Sequence, residues 1–141
     1  MSKDLKAYFD GDTDDIREVL VSKRLLNPDP NVKEPENWIV KRISRSESKR
    51  IKKACTSSTI VRGQKVEVLD SEQYSSELCV ACLVYPDICE ASWQNKYGGE
   101  TPAETLDNML SEGEFTRLVN TVNIVNGFDR SLEEELFNVK N

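Results

Sequence analysis

An α+β fold, mainly helical, is predicted for this 141-residue chain by three observations. The first half carries short runs of β-branched and alternating residues broken by turn formers, which suit strands and hairpins. From Asp70 onward the apolar period lengthens to that of helices. Five capping boxes, Ser44–Glu47, Asp70–Gln73, Thr101–Glu104, Ser111–Glu114 and Ser131–Glu134, mark helix starts, most of them in the second half. The length suits one domain with a continuous core. It divides into an N-terminal arm (1–15), a core that is β-rich over 16–69 and helical over 70–129, and a C-terminal amphipathic segment (130–141).

The elements follow in order. Met1–Asp15 is expected to hold a short helix with Leu5, Tyr8 and Phe9, closed by the turn Asp10-Gly11-Asp12. Ile16–Leu25 alternates around Val19 and Val21 as a strand. Asn27-Pro28-Asp29-Pro30 forbids regular structure and begins a loop to about Asn37. Trp38–Ile43 is rich in strand formers and pairs antiparallel with the earlier segment. Ser44 and Glu47 start a helix to about Cys55, with Ile51, Ala54 and Cys55 inward. Thr56–Val61 and Lys65–Leu69 form a hairpin around Arg62-Gly63-Gln64, where Gly63 supplies a positive φ. Val66 and Val68 share one of its faces.

Asp70 caps a helix whose stripe is Tyr74, Leu78, Ala81, Cys82 and Tyr85. Its reverse side is apolar too, so it is expected to be the most buried element. The run Leu78–Tyr85 also fits a central strand; the cap and the length favour helix, and Pro86 ends it. Asp87 caps a short helix through Trp93 to Tyr97, stopped by Gly98-Gly99. Pro102 sits at a first helical position and opens a helix with Leu106, Met109 and Leu110 inward. Ser111 starts another, carrying Phe115, Leu118, Val119, Val122 and Val125 to Asn126-Gly127. Ser131 caps a last segment with Leu132, Leu136 and Phe137.

Composition excludes several functions. Histidine, the commonest general base and metal ligand, is absent. No G-x-S-x-G elbow or phosphate-binding glycine loop occurs. Asp14-Asp15 and Glu133-Glu134-Glu135 lie in polar terminal contexts that keep carboxylates solvated. Asp10, Asp12 and Asp14 have calcium-loop spacing, but Asp15 replaces the required glycine and no glutamate follows at the twelfth position. The chain is therefore expected not to be an enzyme and to need no cofactor. No apolar run is long enough to span a bilayer and no signal peptide opens the chain, so a cytoplasmic location is expected.

Cys79 and Cys82 form a CxxC pair inside an apolar run, with Cys55 and Cys89 elsewhere. A zinc site lacks its histidines, and a redox motif lacks an exposed helix start, so these thiols are expected to be small core residues. Thiol or zinc binding through Cys79 and Cys82 is the alternative of a different class.

Net charge is −6, yet residues 41–65 carry nine bases against Glu47 alone, +8, leaving −14 on the remainder. Arg45, Lys49, Arg50, Lys52 and Lys53 are the docking candidates of this segment, either as a solvated helix face or against the acidic surface of another copy. Nucleic acid is disfavoured, because no aromatic residue interleaves the bases and the rest of the chain repels phosphate. Leu132, Leu136 and Phe137 are the apolar partner-binding candidates.

The order of motifs is informative. Lys53-Ala-Cys-Thr56 leads to a charged hairpin, then Leu69-Asp-Ser-Glu-Gln-Tyr74, Tyr85-Pro86-Asp87 and Tyr97-Gly98. Glu104, Met109-Leu110, Gly113-Glu114-Phe115 and Val125-Asn-Gly-Phe-Asp129 follow. This succession, over roughly Ile16 to Asp129, resembles the tail-assembly chaperones of PBSX-type prophages and related long-tailed phages of Gram-positive bacteria. The resemblance implies a phage protein absent from the mature virion that binds the tape-measure protein during tail morphogenesis. It carries no catalytic residues. The runner-up is a structural tail or head–tail joining component. The Pro28–Pro35 loop and the CxxC pair depart from the family pattern.

Overall fold

The computed structural model describes residues 16–25, 31 and 33–127. The expected N-terminal helix, the Asn27–Pro30 turn and the segment bearing Leu132, Leu136 and Phe137 lie outside the described residues. The α+β organisation is as expected, with strands in the first half and helices in the second.

β1 (Ile16–Val19) pairs antiparallel with β2 (Trp38–Lys41), from Ile16 opposite Lys41 to Val19 opposite Trp38. β1 is shorter than the alternation suggested. Val21 and Ser22 follow it into the interior, both buried, rather than extending the ladder. α1 (Arg45–Ala54) buries no residue of its own. Ile51 is half-buried and Ala54 exposed, so of the inner side expected there only the capping residue Cys55 is fully buried.

β3 (Thr56–Val61) and β4 (Gln64–Leu69) form the hairpin. α2 (Ser71–Cys82) then begins on the Asp70 cap, whose carboxylate accepts the Gln73 amide. This helix ends three residues earlier than expected, and β5 (Leu83–Tyr85) joins the free edge of β2 in the order β1-β2-β5. The residue before a proline favours extended backbone, and Leu-Val-Tyr is a strand-forming run, so Pro86 converts the helix end into a strand.

α3 (Ala91–Tyr97) starts at Glu90, not at Asp87. The Asp87 carboxylate instead accepts the Cys89 amide in the preceding turn. α4 (Pro102–Met109) and α5 (Glu112–Val125) complete the fold. Ser44, Thr101 and Ser111 cap their helices as the sequence indicates. The reciprocal half of the box is made at α5, where Ser111 N–H donates to Glu114 Oε1 at 2.8 Å. Glu104 reaches one residue further back, to the Glu100 amide.

The core is built by α5 against the three-stranded sheet and by α4 and α5 against α2. Leu106, Leu118, Val122, Val40 and Val21 are fully buried at its centre. α2 is not the most buried element. It buries Ser76, Cys79 and Cys82, whereas α4 and α5 each bury four residues. The first turns of α2 are polar, and Leu83 and Val84, which made its reverse side apolar, lie in β5, so its neighbours choose the buried face. Its expected stripe turns accordingly: Tyr74, Leu78 and Ala81 are half-buried and Tyr85 lies exposed on β5.

Polar joints through Asn126 and Glu114 help tie the layers. The Asn126 side chain accepts the Ile43 amide and donates to Val122 O and Cys82 Sγ, linking the end of α5 to the β2–α1 connection and to α2. Arg24 forks onto both oxygens of the buried Glu114, at 3.0 and 2.6 Å, and also donates to Met109 O. The Arg24 hydrogen bonds hold the Glu114 carboxyl at about 2, against the opposing push of burial.

Gly99 is required by both conformation and space. Its φ is +98°, and a Cβ there would stand 2.8 Å from the Thr105 amide nitrogen at the start of α4. Gly99→Ala is expected to destabilise the fold by about 2 kcal/mol. Urea unfolding checks this, and a change within error of zero would contradict it.

Candidate interaction surface

The β3–β4 hairpin stands apart from the core. Its turn is two residues long, Arg62 at φ 53° and Gly63 at φ 78°, so both central residues are left-handed as a type I′ turn requires. Arg62 thus shares the conformation expected of Gly63 alone. The register runs without a break from Thr56 opposite Leu69 to Val61 opposite Gln64. The two strands contact chiefly each other. Every residue from Ser57 to Leu69 is exposed, among them Ile60 at 76%, Val61 at 50% and Val68 at 48%.

Alternation sorts the side chains onto two faces. One holds Ser57, Thr59, Val61, Gln64, Val66 and Val68 and carries no charge. The other holds Lys65 and Glu67 beside Ile60 and Leu69. Contiguous exposed apolar surface of this kind marks interaction sites. Its β-branched content was legible in the sequence. That none of the described helices covers it was not, because a hairpin with valines along one face is normally packed on a core.

α1 packs on the first turn of α2, beside the base of the hairpin. Ser48 and Tyr74 share a hydroxyl hydrogen bond of 2.9 Å, and Lys52 Nζ lies 5.6 Å from the Tyr74 ring centroid. Arg45, Lys49, Arg50, Lys52 and Lys53 are all exposed on this helix. Leu132, Leu136 and Phe137 lie outside the described residues.

A second feature escaped the sequence. The starts of α2, α4 and α5 enclose an open groove of about 650 Å³ with Asp70, Glu72, Glu77, Glu104, Asp107 and Glu112 in its lining and no lysine or arginine. Three helix starts, each with acids in its first turn, converge only in three dimensions.

Cys55, Cys79 and Cys82 behave as core residues, while Cys89 is exposed. Cys79 and Cys82 are buried, and burial pushes the Cys79 thiol up to about 12 and the Cys82 thiol in the same direction. A thiol held protonated is a poor nucleophile and metal ligand. Among the described residues no cluster of three potential metal ligands occurs, and no described helix is long and apolar enough to cross a membrane.

The fold is similar to that in a crystal structure of the protein YqbN, with a TM-score of 0.70 and 28% identity over 92% of this chain and 100% of that one. No match is found among curated proteins. A family model described as phage XkdN-like tail assembly chaperone protein matches residues 5–140. With nearly its whole length inside that match, and with the order of elements that the sequence resemblance rested on, the chain belongs to the XkdN-like family of phage tail assembly chaperones.

Proposed function

We propose that this chaperone binds the tape-measure protein and keeps it soluble during tail morphogenesis, without catalysing a reaction. The observation that carries the reading is the hairpin that no other described element covers, whose uncharged face exposes Val61, Val66 and Val68. A holding protein needs apolar surface that a client can cover and later leave. The uncharged face suits an apolar client segment because no charge is desolvated on contact. The Leu132–Phe137 segment is a second apolar contact in the same reading.

Co-expression with the tape-measure protein of the same phage tests it. The wild-type chain is expected to raise the soluble fraction of that protein several-fold. Val61→Ser, Val66→Ser and Val68→Ser together are expected to abolish the gain while leaving the fold intact by circular dichroism, since these side chains are exposed on the hairpin. Deleting residues 130–141 is expected to weaken the gain. A tape-measure protein equally soluble with the triple variant and with the wild type sinks the hairpin as the client site.

A further inference from the structure

We infer that strand β3 is a docking edge for a second copy of this chain, forming a two-fold antiparallel β3–β3 pair and a four-stranded sheet β4-β3-β3-β4. The inference stands on the edge itself and does not depend on what the client is.

The hydrogen-bond parity of the hairpin places the free groups. Asp70 N–H donates to Cys55 O at 2.9 Å, so Cys55 and Asp70 form a bonded pair. In an antiparallel ladder bonded pairs alternate with non-bonded ones. Ser57, Thr59 and Val61 therefore bond to β4, while Thr56, Ser58 and Ile60 turn their backbone N–H and C=O groups to the open edge. Among the described residues, none of these three shares a backbone bond with a neighbouring element.

That pattern is symmetric about Ser58. A two-fold axis through Ser58 sets Ser58 opposite its copy and Thr56 opposite Ile60 of the other protomer, twice. Each outward-facing residue then meets an outward-facing residue, and every free donor finds an acceptor. The facing side chains are serine on serine and threonine on isoleucine, pairs that suit a sheet.

Charge selects the same edge. Natural edge strands are guarded by lysine, proline, bulges or inward charges. β3, Thr-Ser-Ser-Thr-Ile-Val, has none of these and its register is unbroken. The β4 edge does carry guards, Lys65 and Glu67, among its outward-facing residues. Pairing through β3 thus puts no like charges directly opposite each other. It also doubles the uncharged face, joining Val61, Val66 and Val68 of both copies on one side of the sheet.

The area limits the strength. Two six-residue strands bury less than the roughly 1,200 Å² of a standard stable interface. The dimer is therefore weak and forms at high protein concentration. Lys52, Lys53 and Arg62 of the two copies approach one another in this register, so salt is expected to leave the association unchanged or to tighten it. Docking of the basic helix α1 into the acidic groove of another copy has the opposite signature, dissociation by salt.

Sedimentation from micromolar to millimolar protein, at low and high salt, tests the inference on the full chain. A concentration-dependent dimer that salt does not weaken is expected. Ser58→Pro removes an outward amide without touching a β3–β4 bond, and Ser58→Lys sets like charges opposite each other. Each is expected to weaken the dimer at least tenfold with an unchanged melting temperature. A monomer at every concentration, a dimer that survives Ser58→Lys, or one that salt dissolves overturns the inference. Client solubilisation by the monomeric Ser58→Lys chain keeps the two proposals separable.

Discussion

Glu114→Ala is expected to lower the unfolding free energy by about 3 kcal/mol at neutral pH. The carboxylate is 7% exposed and accepts the Arg24 fork, and it also completes the capping box by accepting the Ser111 amide. Removing it deletes charge-assisted hydrogen bonds worth about 1.5–3 kcal/mol and leaves Ser111 N–H without its acceptor. The Arg24 side chain is 57% exposed and can rehydrate, which keeps the loss below that of a fully buried pair.

The same carboxylate gives a pH signature of known sign. Its carboxyl is lowered from 4.5 to about 2 in the folded state, chiefly by the Arg24 hydrogen bonds. The unfolded chain then binds more protons across that interval, so the contribution is fully present above about pH 4.5 and is lost as pH falls toward 2. Glu114→Gln removes this proton linkage. Unfolding measured at several pH values between 2 and 7 is expected to show the wild type and the glutamine variant converging as pH falls. Parallel curves would remove the ion pair from the explanation of acid stability.

Leu118→Ala is expected to destabilise the fold by about 3–4 kcal/mol and lower the melting temperature by roughly 10 °C. Leu118 is fully buried on α5, which packs on the sheet through β1 and β2 and on the helical layer through α2. A cavity there loses contacts in both layers, and neither can close it alone. Thermal unfolding followed by circular dichroism checks the figure. A loss under 1 kcal/mol would mean that the two layers repack around the gap.

Local chemistry decided much of the fold before any tertiary contact. The caps at Ser44, Asp70, Thr101 and Ser111 are readable because a side chain satisfies an amide three residues away, and nothing distant is needed. Leu106, Met109, Leu118, Val122 and Val125 are readable as core because α4 and α5 keep one apolar face each. The β1–β2 pairing and the hairpin follow from strand-forming runs and a turn that only a glycine-bearing pair suits.

Where two local preferences balanced, tertiary structure chose. Leu83–Tyr85 continues an apolar helix by composition and becomes a strand because β2 offers an open edge and Pro86 follows. α2, polar in its first turns and apolar around its last, takes its inward face from α4 and α5. The Arg24–Glu114 pair spans ninety residues of sequence, and the acidic groove joins three separate helix starts, so neither has a local signature. The interaction surface divides in the same way. By itself the sequence determined the family, the capped helices and the β-branched strands of the hairpin, because these depend on neighbouring residues alone. Only the tertiary structure decided that the described elements leave the hairpin uncovered, with β3 as its unguarded edge, because exposure is set by what those elements leave unpacked.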